Sequence, residues 1–308
     1  MKKLYIILIS VVCFVSLGSF VIFNFMKNDF SKKPAITIFI HGSYMAARYV
    51  MPKQYQSKSG LHSINKYEQT SHFSQVADVL SKKDPQQHDK DHYYVFGWSG
   101  ALSFKVRKKL AQRLYYEMKE LLTAYKEKHG QYPHVQIITF SHGGNIALQL
   151  ADLLPFFNDQ EVVELELVLI GCPVQAATED MIASPWFSHV SVIASSGDII
   201  QRLDPHNLYG PRRDKKTKIF SRRFFDVADF DKNIQNKITQ YSVTVNNKQL
   251  GHLDLFRSFM IHVPYVLAQK YRLQTGETLE IDIFDPDFIF NKIYNLYDSL
   301  QGKRKFRQ

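Results

Sequence analysis

Ser141 ends an apolar run and heads a pair of glycines, in Ile137-Ile138-Thr139-Phe140-Ser141-His142-Gly143-Gly144. A strand that turns sharply into a helix forces such a serine into strained backbone geometry and needs small neighbours. Gly143 and Gly144 supply that room. Downstream lie Asp198, in Ala194-Ser195-Ser196-Gly197-Asp198, and His252, in Gln249-Leu250-Gly251-His252, each in a loop just after a predicted strand. Together these residue types can activate an oxygen nucleophile. The imidazole takes the hydroxyl proton and later protonates the leaving group, while the carboxylate orients the ring and stabilises its charged form. Asp204 is the rival carboxylate, and His262, further into the following helix, the weaker rival imidazole. The competing structural readings are a capping serine at 141, a helix N-cap at Asp198 and an ordinary loop histidine at 252.

The serine turn resembles the nucleophile elbow of the α/β-hydrolase superfamily, G-x-S-x-G, with Thr139 where the first glycine usually stands and Gly143 at the last position. The order serine, acid, histidine along the chain is also the order of that family. The resemblance spans about residues 34–272 and is carried by four short segments. One is Ile38-Phe39-Ile40-His41-Gly42-Ser43, which is similar to the H-G-x segment of lipases and esterases. It implies an oxyanion hole made by the backbone N–H groups of Ser43 and of His142, with His41 holding the loop. A fainter likeness lies in Phe96-Gly97-Trp98-Ser99-Gly100, where Trp98 reads as a core anchor. The resemblance implies a serine hydrolase of carboxylic esters that works through an acyl-enzyme and needs no cofactor. Thioesterase, amidase or acyltransferase chemistry would use the same three residues, and a silent hydrolase fold serving as a binding module is the rival class.

Residues of these types can meet only if several elements bring them together. Apolar, β-branched runs predict strands at 36–40, 93–98, 135–140, 165–170, 190–194 and 238–245. Between them, Phe73, Val76, Ala77 and Leu80 recur at helical spacing. Val106, Leu110, Leu114, Met118, Leu121 and Tyr125 mark a long helix that ends near Gly130 and Pro133. A further helix follows Ser141. Short apolar strands alternating with amphipathic helices predict an α/β fold, a mostly parallel sheet with helices on both faces. In such sheets the chemistry lies beyond the carboxyl ends of the strands. Residues 43–70 are polar and show no clear period.

The chain has 308 residues, 45% hydrophobic and 22% charged, which excludes wholesale disorder. Its two cysteines, Cys13 and Cys172, exclude a disulfide scaffold and a cysteine-rich zinc module. His88, Asp89, Asp91 and His92 read as a solvated charged loop rather than metal ligands, and no metal site is expected. No phosphate-binding or dinucleotide-binding glycine motif is present.

Lys2 and Lys3 precede an uncharged apolar run from Leu4 to Met26, and 23 residues suffice to cross a bilayer as a helix. The expected organisation is a signal-anchor and flank over 1–33, a hydrolase domain over 34–275 with a basic insertion around 205–236, and a tail over 276–308 that becomes helix-like. A cleaved signal peptide is the rival reading of the N-terminus. The catalytic domain is expected outside the cytoplasm. Within the insertion, from Pro211 to Arg223, Arg212, Arg213, Lys215, Lys216, Lys218, Arg222 and Arg223 stand against Asp214 alone, a net +6 of the chain's +10. With Phe220, Phe224 and Phe225 interleaved, this stretch reads either as a contact for anionic lipid head groups or an acidic substrate, or as a solvated surface loop. Nucleic acid is not an expected partner, since no RNA-binding signature accompanies the basic residues. The tail is acidic around Glu280, Asp282, Asp285 and Asp287 and basic at its end.

Overall fold

The computed structural model describes residues 35–43, 55–85, 87–154, 163–204, 222–269 and 278–285. The predicted membrane span and its flank (1–33), Arg212, Arg213, Lys215, Lys216 and Lys218, and the tail beyond 285 lie outside the described residues. Among the described residues no helix is long and apolar enough to cross a membrane.

Nine strands form one sheet among the described residues: β1 (Ala35–Ile40), β2 (Gly60–Ser63), β3 (Tyr93–Gly97), β4 (His134–Phe140), β5 (Leu165–Ile170), β6 (Phe187–Ala194), β7 (Ile238–Val245), β8 (Lys248–Gln249) and β9 (Thr278–Ile283). The order is β2-β3-β1-β4-β5-β6-β7-β8, with β9 also paired to β7. The run from β3 to β7 is parallel, β9 joins β7 in parallel, and β2 and β8 are antiparallel. All six residues of β1 are buried, as a strand covered on both faces requires. Ile36, Ile38, Ile40, Val135, Ile137, Leu167 and Leu169 face one layer, which holds the long helix Phe104–His129 and the helix His142–Leu148. Phe39, Ile138, Phe140, Val168 and Ile170 face the other, against the helix His72–Lys83 and the short helices between His252 and Ala268. Alternate residues of each strand thus feed separate cores.

The long helix starts at Ser103, whose hydroxyl accepts from the Val106 N–H, and stops at Gly130 in the left-handed region at φ 77°. Its buried face differs from the predicted stripe. Arg107, Ala111, Leu114, Tyr115, Met118, Leu122 and Tyr125 are buried, whereas Val106, Leu110 and Leu121 are half-buried flanks. The buried face is turned from the predicted one and takes in a charged residue, Arg107, which polarity patterning places on the solvent side.

Three further differences have local causes. The polar stretch 43–70 contains β2, an edge strand of four residues, too short to show alternation. The domain does not stop at 275. Thr278–Ile283 is β9, with Ile281 and Ile283 buried and Glu280 and Asp282 exposed. Its acidic residues are one face of a period-two pattern, so composition hid a strand. The second half of the basic insertion is built into the domain. Phe225 is buried in the main core, and its N–H and C=O both bond the side chain of Gln240, at 2.8 and 3.1 Å.

Buried histidines give the fold an acid limit. His88 bonds the Thr37 hydroxyl at 3.1 Å and His72 bonds the Phe256 carbonyl at 3.0 Å. Burial lowers His41 to about 3 and His72 and His88 to about 4. Below about pH 6.5 the unfolded chain protonates these rings while the folded chain does not, so each costs ~1.4 kcal/mol per pH unit until its folded pKa is reached. Unfolding in urea is expected to show a loss on the order of 5 kcal/mol between pH 7 and pH 5. An unchanged midpoint would mean that the rings take up protons without unfolding.

Candidate functional site

β4 runs straight into Ser141, whose N–H bonds the Ile170 carbonyl at 2.8 Å. Ser141 has φ 52° and ψ −131°, a conformation that a residue with a Cβ adopts only under strain of about 1–3 kcal/mol. It precedes the helix His142–Leu148, yet its side chain makes no capping hydrogen bond. Ser71 and Ser103, in the same position before their helices, both do. The Ser141 hydroxyl is turned instead toward His252, with Oγ 3.0 Å from Nε2.

The imidazole is held from behind. His252 Nδ1 lies 2.6 Å from Asp198 Oδ2, and Asp198 is fully buried. Its other oxygen, Oδ1, accepts from the Gln201 N–H at 2.8 Å, so Asp198 is both a helix N-cap and the partner of His252. Nδ1–H donates to the carboxylate, which leaves Nε2 to accept from the Ser141 hydroxyl. The loops carrying these residues are stitched together: the Leu250 N–H donates to Ser195 Oγ at 2.8 Å. Phe140 packs against the imidazole with ring centroids 4.6 Å apart. The row Ser141–His252–Asp198 can deprotonate a hydroxyl as it attacks and carry the proton to a departing group.

Close approach of two strands forms the rest of the site. A Cβ on Gly42 would lie 2.7 Å from Ser141 Cβ, and one on Gly143 would lie 2.5 and 2.7 Å from the Ile40 and His41 carbonyl oxygens. Gly143→Ala therefore pushes the head of the serine helix off β1, where backbone cannot yield. It is expected to cost about 1–3 kcal/mol or more by overpacking, read as a lowered urea midpoint. Thr139 is tolerated at its position because its hydroxyl is absorbed by the Val168 carbonyl at 3.1 Å.

His41 is buried behind the Gly42-Ser43 turn. Nδ1–H donates to the Gly42 carbonyl at 2.7 Å, and Nε2 accepts from the Trp98 N–H at 3.1 Å and the Ser57 hydroxyl at 2.7 Å. Trp98 stacks on the ring and donates its indole N–H to the His41 carbonyl. His41 is thus a neutral brace for the loop, and Ser43 follows directly. The Ser43 and His142 N–H groups belong to the two segments that converge on Ser141. His142 is the first residue of its helix.

Asp204 does not meet His252. Its carboxylate lies 3.3 Å from His142 Nε2 and accepts from Gln175 Nε2 at 2.8 Å, and Gln175 Oε1 accepts from Arg107 Nη2 at 2.9 Å. Burial lowers the pKa of His142, so the ring is a neutral donor. Sequence reasoning missed Arg107 and Gln175, one hidden in a helix repeat and the other in a loop without a motif. His262 pairs with Asp285 at 3.0 Å, so it is engaged elsewhere. Cys172 is buried and its thiol is pushed up by burial, which keeps it protonated. Of the seven basic residues, Arg222 pairs with Glu179 and with Asp226, and Arg223 donates to the Ser196 and Asp198 carbonyls. Arg223 therefore braces the loop of Asp198. Among the described residues no group of histidine, cysteine or acidic side chains could hold a metal ion.

Neither a protein-family model nor a curated protein sequence matches this chain. Among solved structures it is similar to an arylesterase, at 12% identity over 88% of this chain and 74% of that one, with a TM-score of 0.34. It is similar also to an esterase from Pyrobaculum calidifontis, at 13% identity over 89% and 73%, TM-score 0.34. The rice cell wall degrading esterase LipA from Xanthomonas oryzae matches at 11% identity over 88% and 80%, TM-score 0.30. Likeness at this level carries no argument about activity.

Proposed function

We propose that this chain is a membrane-anchored serine hydrolase that cleaves carboxylic esters. The observation that carries the reading is the hydrogen-bonded row from Ser141 Oγ through His252 to Asp198, with Ser141 held at positive φ and uncoupled from capping its own helix. Ser141 Oγ attacks the acyl carbonyl as His252 Nε2 takes its proton. The oxyanion is met by the N–H groups of Ser43 and His142. The tetrahedral intermediate collapses as His252 protonates the leaving alcohol, which leaves an acyl-enzyme. Water activated by His252 then attacks, and the acid leaves with Ser141 restored. The cycle needs no cofactor. Thioesters, amides or an acyl acceptor other than water would use the same steps.

The run from Leu4 to Met26 supports attachment to a membrane as a single span, with the hydrolase domain on the extracytoplasmic side. Arg212, Arg213, Lys215, Lys216 and Lys218 would draw that domain toward anionic lipid. Resistance of the full chain to carbonate extraction from membranes tests the anchor, and release into the soluble fraction sinks it.

The test of the chemistry is a fluorophosphonate probe applied to the full-length protein in detergent. One adduct, on Ser141, is expected. Absence of an adduct on folded protein would leave the binding-module reading in its place. A panel of p-nitrophenyl esters and matching thioesters then selects the substrate bond.

A further inference from the structure

The segment that carries Asp198 carries a second carboxylate. Asp198 caps the start of the four-residue helix Ile199–Arg202, and Asp204 follows its end. The first carboxylate holds His252, at 2.6 Å. The second holds His142, at 3.3 Å, and His142 is the residue next to Ser141. One short helix therefore links two imidazole–carboxylate pairs, one to each of two histidines beside the same serine.

The second pair is anchored in depth. Asp204 also accepts from Gln175, and Gln175 is held by Arg107, which is completely buried. A guanidinium taken out of water costs several kcal/mol unless an anion balances it. Burial pushes Arg107 away from its charged form, and the Asp204 carboxylate, reached across the Gln175 amide, opposes this. The helix behind Ser141 is pinned a second time by Asn145, which donates to the Pro173 carbonyl at 3.0 Å and accepts from the Thr178 hydroxyl at 2.5 Å. Loops after β5 and β6 thus grip the head of this helix at two points, His142 and Asn145. All seven residues of that helix are buried, so it has no solvent side to which it could relax.

We propose that Asp204 is a positioning residue: through the His142 side chain it fixes the His142 N–H against the oxyanion, as Asp198 fixes the general base. The assignment rests on the hydrolase reading above. Its functional content is that the segment 198–204, which carries both carboxylates, sets the base and one oxyanion donor relative to each other. A loss of Asp204 then harms the transition state more than the bound substrate.

The experiment uses full-length protein in detergent, a soluble p-nitrophenyl ester and a trifluoromethyl ketone, whose adduct with a serine carries the same oxyanion. Asp204→Asn is expected to lower kcat about 10- to 100-fold, less than or near the loss of a whole oxyanion donor, with KM changed less than about 3-fold. The inhibition constant of the ketone should rise in proportion to the loss in kcat/KM. His142→Ala, which keeps the backbone N–H and leaves Asp204 bonded to Gln175, should show the same paired losses and serves if Asp204→Asn does not fold. A folded variant with kcat within about 3-fold of wild type overturns the proposal. So does one whose turnover falls while the ketone binds as before, since that pattern marks a purely structural role. If the wild-type protein neither turns over esters nor takes up the fluorophosphonate, the hydrolase reading fails first and this assignment falls with it.

Discussion

Ser141→Ala is expected to remove fluorophosphonate labelling altogether and to lower kcat for ester hydrolysis about 10⁴-fold or more. His252→Ala should do the same, and the double variant should be little worse than either, because nucleophile and base act as one unit. Steady-state turnover of a p-nitrophenyl ester by the three purified variants measures this. The physical basis is the 3.0 Å contact between Ser141 Oγ and His252 Nε2, since a serine hydroxyl attacks slowly unless a base takes its proton during the attack. Retention of more than a few per cent of activity in either variant would place the nucleophile elsewhere. Neither substitution should unfold the protein. Alanine at 141 keeps the backbone and the Cβ that already stands at positive φ, and alanine at 252 suits the first position of the helix His252–Arg257, whose Leu255 and Phe256 stay buried.

Asp198→Asn is expected to cost about 10⁴-fold in kcat while leaving the loop in place. Asn can still accept the Gln201 N–H at the start of the helix Ile199–Arg202, so the cap survives. What changes is the proton on His252. A carboxylate accepts from Nδ1–H, leaving Nε2 free to take the serine proton. An amide can instead present its own N–H₂ to Nδ1, which moves the ring proton to Nε2 and blocks the base. The comparison with Asp204→Asn separates the two carboxylates. The Asp198 variant should lose its base and remain nearly inert at every pH where the protein is folded. The Asp204 variant should keep a working base and lose part of the oxyanion contact. Equal losses from the two substitutions would remove the distinction drawn from the structure.

The split between these carboxylates shows the reach of local pattern. Apolar runs marked β1, β3 and β5 closely because a parallel strand covered on both faces is largely apolar, whereas β4 and β7 were marked by apolar residues with polar ones between them. Their alternation with amphipathic segments carried the mostly parallel sheet. Ser141-His142-Gly143-Gly144 was legible because a tight strand-to-helix turn demands small residues in fixed places. Departures came where pattern was short or mixed. β2 has four residues, β9 hides its inward Ile281 and Ile283 among acids, and Phe225 sits in a basic stretch although its ring belongs to the core.

Residue type and chain order were enough to single out Ser141, Asp198 and His252 as candidates. Which of the candidates meet depends on contacts between segments distant in the chain. Asp198 and Asp204 are six positions apart on one loop, and nothing local says which of them reaches an imidazole on another strand's loop. That follows from the parallel register of β6 and β7, which sets the two loops side by side, and from the single helical turn that aims the carboxylates at different histidines. The same holds for Arg107. A charged residue in a helix repeat reads as solvent-facing, because periodicity records side-chain polarity but not the partner that can satisfy it. Gln175, backed by Asp204, comes from a loop far along the chain and supplies a partner for Nη2 of this buried guanidinium.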